Sequence, residues 1–244
     1  MRIGLIADIH GNLQALETIL AALAREDVDD LICLGDVASL GPQPAEVLAR
    51  LRALACPIVL GNTDAWLLAP PATDGAGVED RPMYALNAWC AAQLSAQDRA
   101  AVTAFPPILA RPIGEAGTLL CFHGSPRSFN DVIVATTPDD MLDAMLGKDL
   151  PALMAGAHTH IQMLRRYQDR RLINPGSVGL PGIGATTPYN RDVRWAEYAA
   201  VEVDDAGLSV TFRRIPLDVE AMIARARACG MPEIAWWAAT WRRA

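Results

Sequence analysis

Residues 1–13 read MRIGLIADIHGNL, and the fold turns on how this stretch is parsed. The apolar run over 3–7 is too short for a helix and stops at Asp8, so it reads as a buried strand. Asn12 then offers a side-chain oxygen to cap a helix, and Leu13, Leu16, Ile19, Leu20 and Leu23 recur at helical spacing. The unit repeats: residues 31–34 form a second apolar run, 44–54 carry Val47, Leu48, Leu51 and Leu54 on one helical face, and 56–60 form a third run. Short buried strands alternating with amphipathic helices specify an α/β class, with a parallel sheet and helices packed on it.

Further along, residues 69–82 (APPATDGAGVEDRP) read as an exposed loop, followed by a helical pair over 83–94 and 96–105 with Ser95 capping the second. Residues 118–122 and 152–155 are two more short apolar runs. Two antiparallel hairpins follow: 161–167 with 171–174 around Gln168-Asp169-Arg170, and 197–203 with 208–214 around Asp204 to Gly207. A last helix over 218–228 precedes a tail with Trp236, Trp237 and Trp241, which read as packing or as a homo-oligomer contact rather than a base-stacking platform. No repeat or linker divides the chain, so residues 1–244 are expected to form one domain.

Bulk properties narrow the function. Of 244 residues, 52% are hydrophobic and 20% charged, which is globular composition. A net charge of -7 argues against broad nucleic-acid binding but not against a small phosphorylated substrate, because bound cations would reverse the sign of a pocket. The five cysteines are scattered without C-x-x-C pairing and read as free thiols in a reducing compartment. The N-terminal apolar run is too short for a signal segment, and no stretch is long enough to span a membrane. A soluble, cytoplasmic protein is the expectation.

Chemistry collects where the apolar runs end. The first is followed by Asp8 and His10, the second by Gly35-Asp36, the third by Gly61-Asn62, the run to Phe122 by His123-Gly124, and the run to Ala155 by Gly156, His158 and His160. Ligands of open α/β sheets bind at that edge. Residues two apart in an extended segment share a side, so Asp8 with His10, and His158 with His160, are expected to converge. Singly, each of these residues reads as a turn, a cap or a satisfied core histidine. Together they include all four histidines of the chain. Imidazole, carboxylate and amide oxygen without thiolate suit Mn, Fe, Zn, Ni or Co rather than an all-oxygen cage. Seven ligands exceed one tetrahedral ion and suit two divalent ions sharing a bridge, with the two oxygens of Asp36 as its natural source.

D-x-H (Asp8, His10), G-D (Asp36), G-N-x-D (Gly61 to Asp64), H-G (His123, Gly124) and G-x-H-x-H (Gly156 to His160), together with N-P-G-S (Asn174 to Ser177), resemble the calcineurin-like metallophosphoesterase superfamily, in particular its small bacterial and archaeal phosphodiesterases. The resemblance implies a four-layer α-β-β-α sandwich of two mixed sheets. It implies one metal held by Asp8, His10, Asp36 and His160, and a second by Asp36, Asn62, His123 and His158. It assigns catalytic work to Asp36, Asn62, Asp64 and His123, and substrate contacts to Asn12, Thr63 and Gly124. Two metals about 3.5–4 Å apart would activate a bridging water, as hydroxide, and polarise a phosphoryl oxygen, so no protein nucleophile is needed and Ser125 is a loop residue.

Many members of the family read G-N-H-[DE] where this chain has Thr63. A hydroxyl is a poor acid near neutral pH, which implies a preference for diesters or activated esters over alkyl monoesters. Asp64 reads equally as a residue orienting Asn62 and as a helix cap. Arg127, Arg191 and Arg194 read as phosphate contacts or as solvated surface. The implied function is a metal-dependent phosphodiesterase or phosphatase acting on a small phosphate ester, with a non-catalytic metal-binding scaffold and a nuclease as the alternatives.

Overall fold

The computed structural model describes residues 1–70, 77, 80–181, 193–205 and 207–241. Its elements in chain order are β1 (Arg2–Ile6), α1 (Leu13–Leu23), β2 (Asp30–Cys33), α2 (Pro44–Ala53), α3 (Asn62–Leu68), α4 (Arg81–Gln93), α5 (Ala96–Thr103), β3 (Ile108–Pro112), β4 (Thr118–Phe122), α6 (Asp139–Leu146), β5 (Leu153–Ala155), β6 (Met163–Tyr167), β7 (Arg170–Asn174), β8 (Trp195–Asp204), β9 (Gly207–Pro216), α7 (Val219–Ala228) and α8 (Ile234–Trp241).

The strands form two mixed sheets, ordered β2-β1-β8-β9 and β3-β4-β5-β7-β6. β1 and β2 run parallel, as do β4, β5 and β7, and the remaining pairings, β1–β8 among them, are antiparallel. Alternation along β1 explains the layering. Ile3 and Leu5 pack between the sheets against Leu119, Cys121, Leu153 and Ala155. Ile6 points the other way, into a cluster with Leu16, Ile19, Val47 and Leu51 of the covering helices. On the far face of the second sheet, Phe122, Met154 and Leu172 pack on Leu142 and Leu146 of α6. The result is an α-β-β-α sandwich, and burial on both faces is why β1 reads as an almost unbroken apolar run.

Local signals account for the helix starts. Asn12 accepts from the Ala15 amide at 3.1 Å to cap α1, and Ser95 accepts from the Asp98 amide to cap α5. The expected third strand, over 56–60, shrinks to a single parallel bridge between Cys33 and Ile58. Pro57 has no N–H to give, and the Leu60 amide turns away to Pro106 O. That bridge still aims Gly61 and Asn62 at the end of β2.

Four elements escaped the sequence reading, the short helix α3 among them. β3 is an edge strand whose outer positions are exposed, so its alternation is weak and Pro112 is tolerated. α6 covers only the second sheet. The expected tail is α8, whose Trp237 and Trp241 are buried edge-to-face at 5.9 Å within the helical core. These two are therefore packing residues rather than a subunit contact. Most of the 69–82 and 177–192 loops, with Arg191, and also Ala206, lie outside the described residues. Among the described residues no helix is long and apolar enough to cross a membrane.

Trp237 is 0% exposed. Trp237→Ala should lower unfolding stability by about 3–5 kcal/mol, read as a shifted denaturant midpoint at unchanged oligomeric mass.

Candidate metal centre

The parallel strands β1 and β2 of one sheet and β4 and β5 of the other end at the same edge of the sandwich. Just beyond β1 and β2 the two chain segments remain zipped together: the amides of Asp8, His10 and Gly11 donate to Gly35 O, Asp36 O and Val37 O at 3.0, 2.9 and 2.8 Å. Asp8, His10, Asp36, His158 and His160 all have left-handed backbone, with φ of 54, 48, 55, 68 and 56°. Asp8 and His10 thus converge through left-handed turns rather than by alternation in an extended segment, as the spacing alone suggested, while His158 and His160, also left-handed, go to different groups of ligand-competent atoms. Asp and His tolerate that region better than most side chains, and each such residue still costs about 1–3 kcal/mol unless its surroundings enforce it.

The enforcement is visible. Ser177 Oγ and the Gly179 amide both donate to Asp8 O at 2.9 Å, and Asn174 Nδ2 donates to Ala157 O at 2.8 Å, so the N-P-G-S segment braces the two metal-competent loops against each other. Gly61 is required by packing: a Cβ there would overlap the Asp36 carboxylate. Asp64 ties the third turn down, accepting from the amides of Val37 at 2.8 Å and Gly61 at 3.2 Å. It therefore caps α3 and anchors the loop after Asp36, rather than bonding Asn62.

Two groups of ligand-competent atoms result, Asp8 with His10 and His160, and Asp36 with His123 and His158, each within 4.8 Å of one another. In the first, His10 Nε2 and His160 Nε2 lie 3.3 Å apart, and His160 Nε2 is 3.3 Å from Asp8 Oδ1. In the second, Asn62 Oδ1 sits 3.0 Å from His123 Nε2 and 2.9 Å from His158 Nδ1. Asp36 Oδ2 stands between the groups, 3.8 Å from His10 Nε2 and 3.5 Å from His123 Nε2. Its Oδ1 is engaged by the Thr63 amide at 2.9 Å, so only one oxygen faces both groups, where the sequence reading called for two.

The donor set fits divalent cations. The Nδ1 atoms of His10, His123 and His160 face the carbonyls of Ser39, Leu34 and Leu180 at 3.2, 2.7 and 2.8 Å. A carbonyl only accepts, so Nδ1 carries the proton and Nε2 is the end turned inward. Burial pulls the His10 imidazole down to about 4 against the opposing pull of Asp36, leaving it neutral near pH 7. Two inward nitrogens and a carboxylate therefore confront one another. Asp8 is fully buried, and neither of its oxygens is matched to a donor among the described residues. Only a proton or a cation reconciles such a gathering of acceptors.

Elsewhere the charges interlock. Burial disfavours His123 as a cation, yet Asp36 and Asp8 outweigh it and raise the group to about 9. Asp36 in turn is desolvated but held well below the carboxylate range by His123, His10 and His158. Burial, followed by the neighbouring Asp36 charge, lifts Asp64 to about 7.

A cleft of about 250 Å³ opens beside these groups, lined by His10, Asp36, Asn62, His158 and His160. Thr63 lines it too. Asn12 and Gly124 have scaffold contacts instead: Asn12 caps α1 and donates to Gly179 O at 3.0 Å, and Gly124 packs where a Cβ would stand 2.7–2.8 Å from Ser128 and Asp131 backbone atoms. Ser125 Oγ donates to Asp131 at 2.6 Å within its own loop, and Arg127 reaches Ala144 O at 3.1 Å in α6. Arg194 is exposed. Sequence reasoning missed the apolar wall of Leu40, Trp66, Met83 and Leu180. Trp66 was findable, since it follows Asn62 by four residues on a short helix and so shares its face.

Comparison with known proteins agrees with this geometry. An uncharacterized protein of Methanocaldococcus jannaschii is 28% identical over 199 residues, 75% of this chain and 78% of that protein. A symmetrical bis(5'-nucleosyl)-tetraphosphatase of Baumannia cicadellinicola is 45% identical over 67 residues, 26% of this chain and 23% of that one. Among solved structures, a metallophosphoesterase of Sphaerobacter thermophilus matches with TM-score 0.76 and 29% identity over 99% of both chains. A hypothetical protein of Pyrococcus horikoshii has the same fold at TM-score 0.78 and 20% identity, covering 100% of this chain and 99% of that one. The model of the calcineurin-like phosphoesterase superfamily domain matches residues 1–205, and the chain belongs to that superfamily.

Proposed function

We propose that this protein is a metal-dependent phosphodiesterase acting on a small, nucleotide-like phosphate ester. The observation that carries the reading is the pair of adjoining ligand clusters joined through Asp36 Oδ2 and open to one cleft. Asp8, His10, Asp36 and His160 would hold one divalent ion, and Asp36, Asn62, His123 and His158 the other. Two such ions would polarise a phosphoryl oxygen and lower the pKa of water bound between them. The protein's own part is orientation: carbonyls of Ser39, Leu34 and Leu180 fix three imidazoles, and the Thr63 amide fixes the shared carboxylate. Thr63 offers a hydroxyl where a stronger acid would serve an alkoxide leaving group, which favours diesters and activated esters.

A cleft of about 250 Å³ sits near the lower bound of about 300 Å³ for ligand pockets and suits a small ester better than a polymer. The net charge of -7 weighs the same way against a nuclease. Partial similarity to the Baumannia tetraphosphatase supports a nucleotide-like substrate. A non-catalytic scaffold would have no need for a complete buried donor set beside an open cleft.

Turnover of bis(p-nitrophenyl) phosphate after reconstitution with Mn, Fe, Zn, Ni or Co is the direct test, and no turnover with any of them would favour the scaffold. Asp36→Ala should lose metal by elemental analysis and at least about a hundredfold in kcat/KM, since one oxygen serves both clusters. Full activity in that variant would remove the shared role. At matched metal, the diester should be cleaved faster than simple alkyl monoesters, and the reverse order would discard the argument from Thr63.

Metal must displace the proton that Asp36 and Asp8 hold on His123. Because that group is raised to about 9, apparent metal affinity should rise as pH goes from about 6.5 to 9. Proton release, measured by calorimetry in buffers of different ionisation enthalpy, checks the sign. In the metal-free protein the same group stabilises the fold below about pH 6.5 and loses that contribution as pH rises through about 9.

A further inference from the structure

The cleft is lined by the ligand-competent residues and by an apolar wall of Leu40, Trp66, Met83 and Leu180. We infer that this wall is a subsite for a planar aromatic group carried on the phosphate, of the nucleobase class. The inference rests on the phosphodiesterase reading for where the phosphate lies.

Leu40 and Leu180 are core residues, 2% and 1% exposed, whereas Trp66 and Met83 are only half-buried. Trp66 follows Asn62 by four residues and Thr63 by three on α3, so the face that bears the ligand also bears the indole. Tyr84 of α4 backs that indole, with ring centroids 6.1 Å apart and planes at 37°. A ring held this way is a platform that loses little freedom when a ligand stacks on it. Met83, next to Tyr84 on α4, adds a polarisable thioether, which packs favourably on aromatic rings. An alkyl group would be served equally by leucines, whereas a flat π-system gains from indole and thioether.

Calorimetry on the metal-loaded full chain should show thymidine 5'-monophosphate binding about tenfold tighter than ribose 5-phosphate, a typical gain from stacking one base. Trp66→Ala should bring that ratio towards one. Trp66→Leu, which keeps an apolar side chain and removes the ring face, should do the same and guards against a folding defect. In parallel, kcat/KM for thymidine 5'-(p-nitrophenyl) phosphate and ethyl p-nitrophenyl phosphate compares two esters with one leaving group. Equal binding of the two monophosphates by the unaltered protein, or an undiminished ratio in Trp66→Leu, would overturn the subsite. If neither ester is cleaved with any metal while the binding ratio and its loss persist, the subsite stands and the hydrolytic reading falls.

Discussion

Four imidazoles and the carboxylates of Asp8 and Asp36 are gathered at one edge of the sandwich with too few donors among them, and much of the surrounding architecture exists to hold that gathering together. Asp8 is the extreme case, buried with both oxygens unmatched among the described residues. Such a set of acceptors repels itself in a dry site, so it persists only where the backbone leaves it no alternative and where a cation can enter.

The backbone constraint is met by linking the loops to one another. The segments after β1 and β2 exchange main-chain hydrogen bonds, Ser177 and Gly179 clasp Asp8, Asn174 holds Ala157, and Asp64 pins the turns at Gly61 and Val37. These contacts enforce five left-handed residues that would relax if free. They also explain why a motif such as N-P-G-S, which offers no metal ligand, belongs to the centre. The same economy makes Gly61 irreplaceable, since Asp36 occupies the space a side chain would need.

Electrostatics and shape then divide the work. The ligand clusters interlock through Asp36, whose carboxylate holds His123 protonated in the absence of metal. The cleft beside them joins those groups to an apolar wall made by Trp66 of α3, Met83 of α4 and the loop residues Leu40 and Leu180. Because Asn62, Thr63 and Trp66 lie within one turn and a half of α3, the candidate ligand and the indole are carried on one short helix.

What the linear chain determined by itself was local and periodic. Apolar runs ending in Asp, Asn or His announced strands that deliver ligands to one edge, because a strand's burial and a metal ligand's identity are each written in a few adjacent residues. Caps at Asn12 and Ser95 and the two hairpins were legible for the same reason. Tertiary structure alone decided the rest. The edge strand β3 and the covering helix α6 take their stability from partners distant in sequence. Pairing around Pro57 reduced a strand to a bridge. Asn12 and Gly124 were drawn into scaffold contacts that residue type does not reveal, and the wall of the cleft joins Leu40, Trp66, Met83 and Leu180 from four separate segments. Residue type specifies which interactions are available, but which partner satisfies them depends on how chain segments far apart in sequence meet, and only the folded structure shows that.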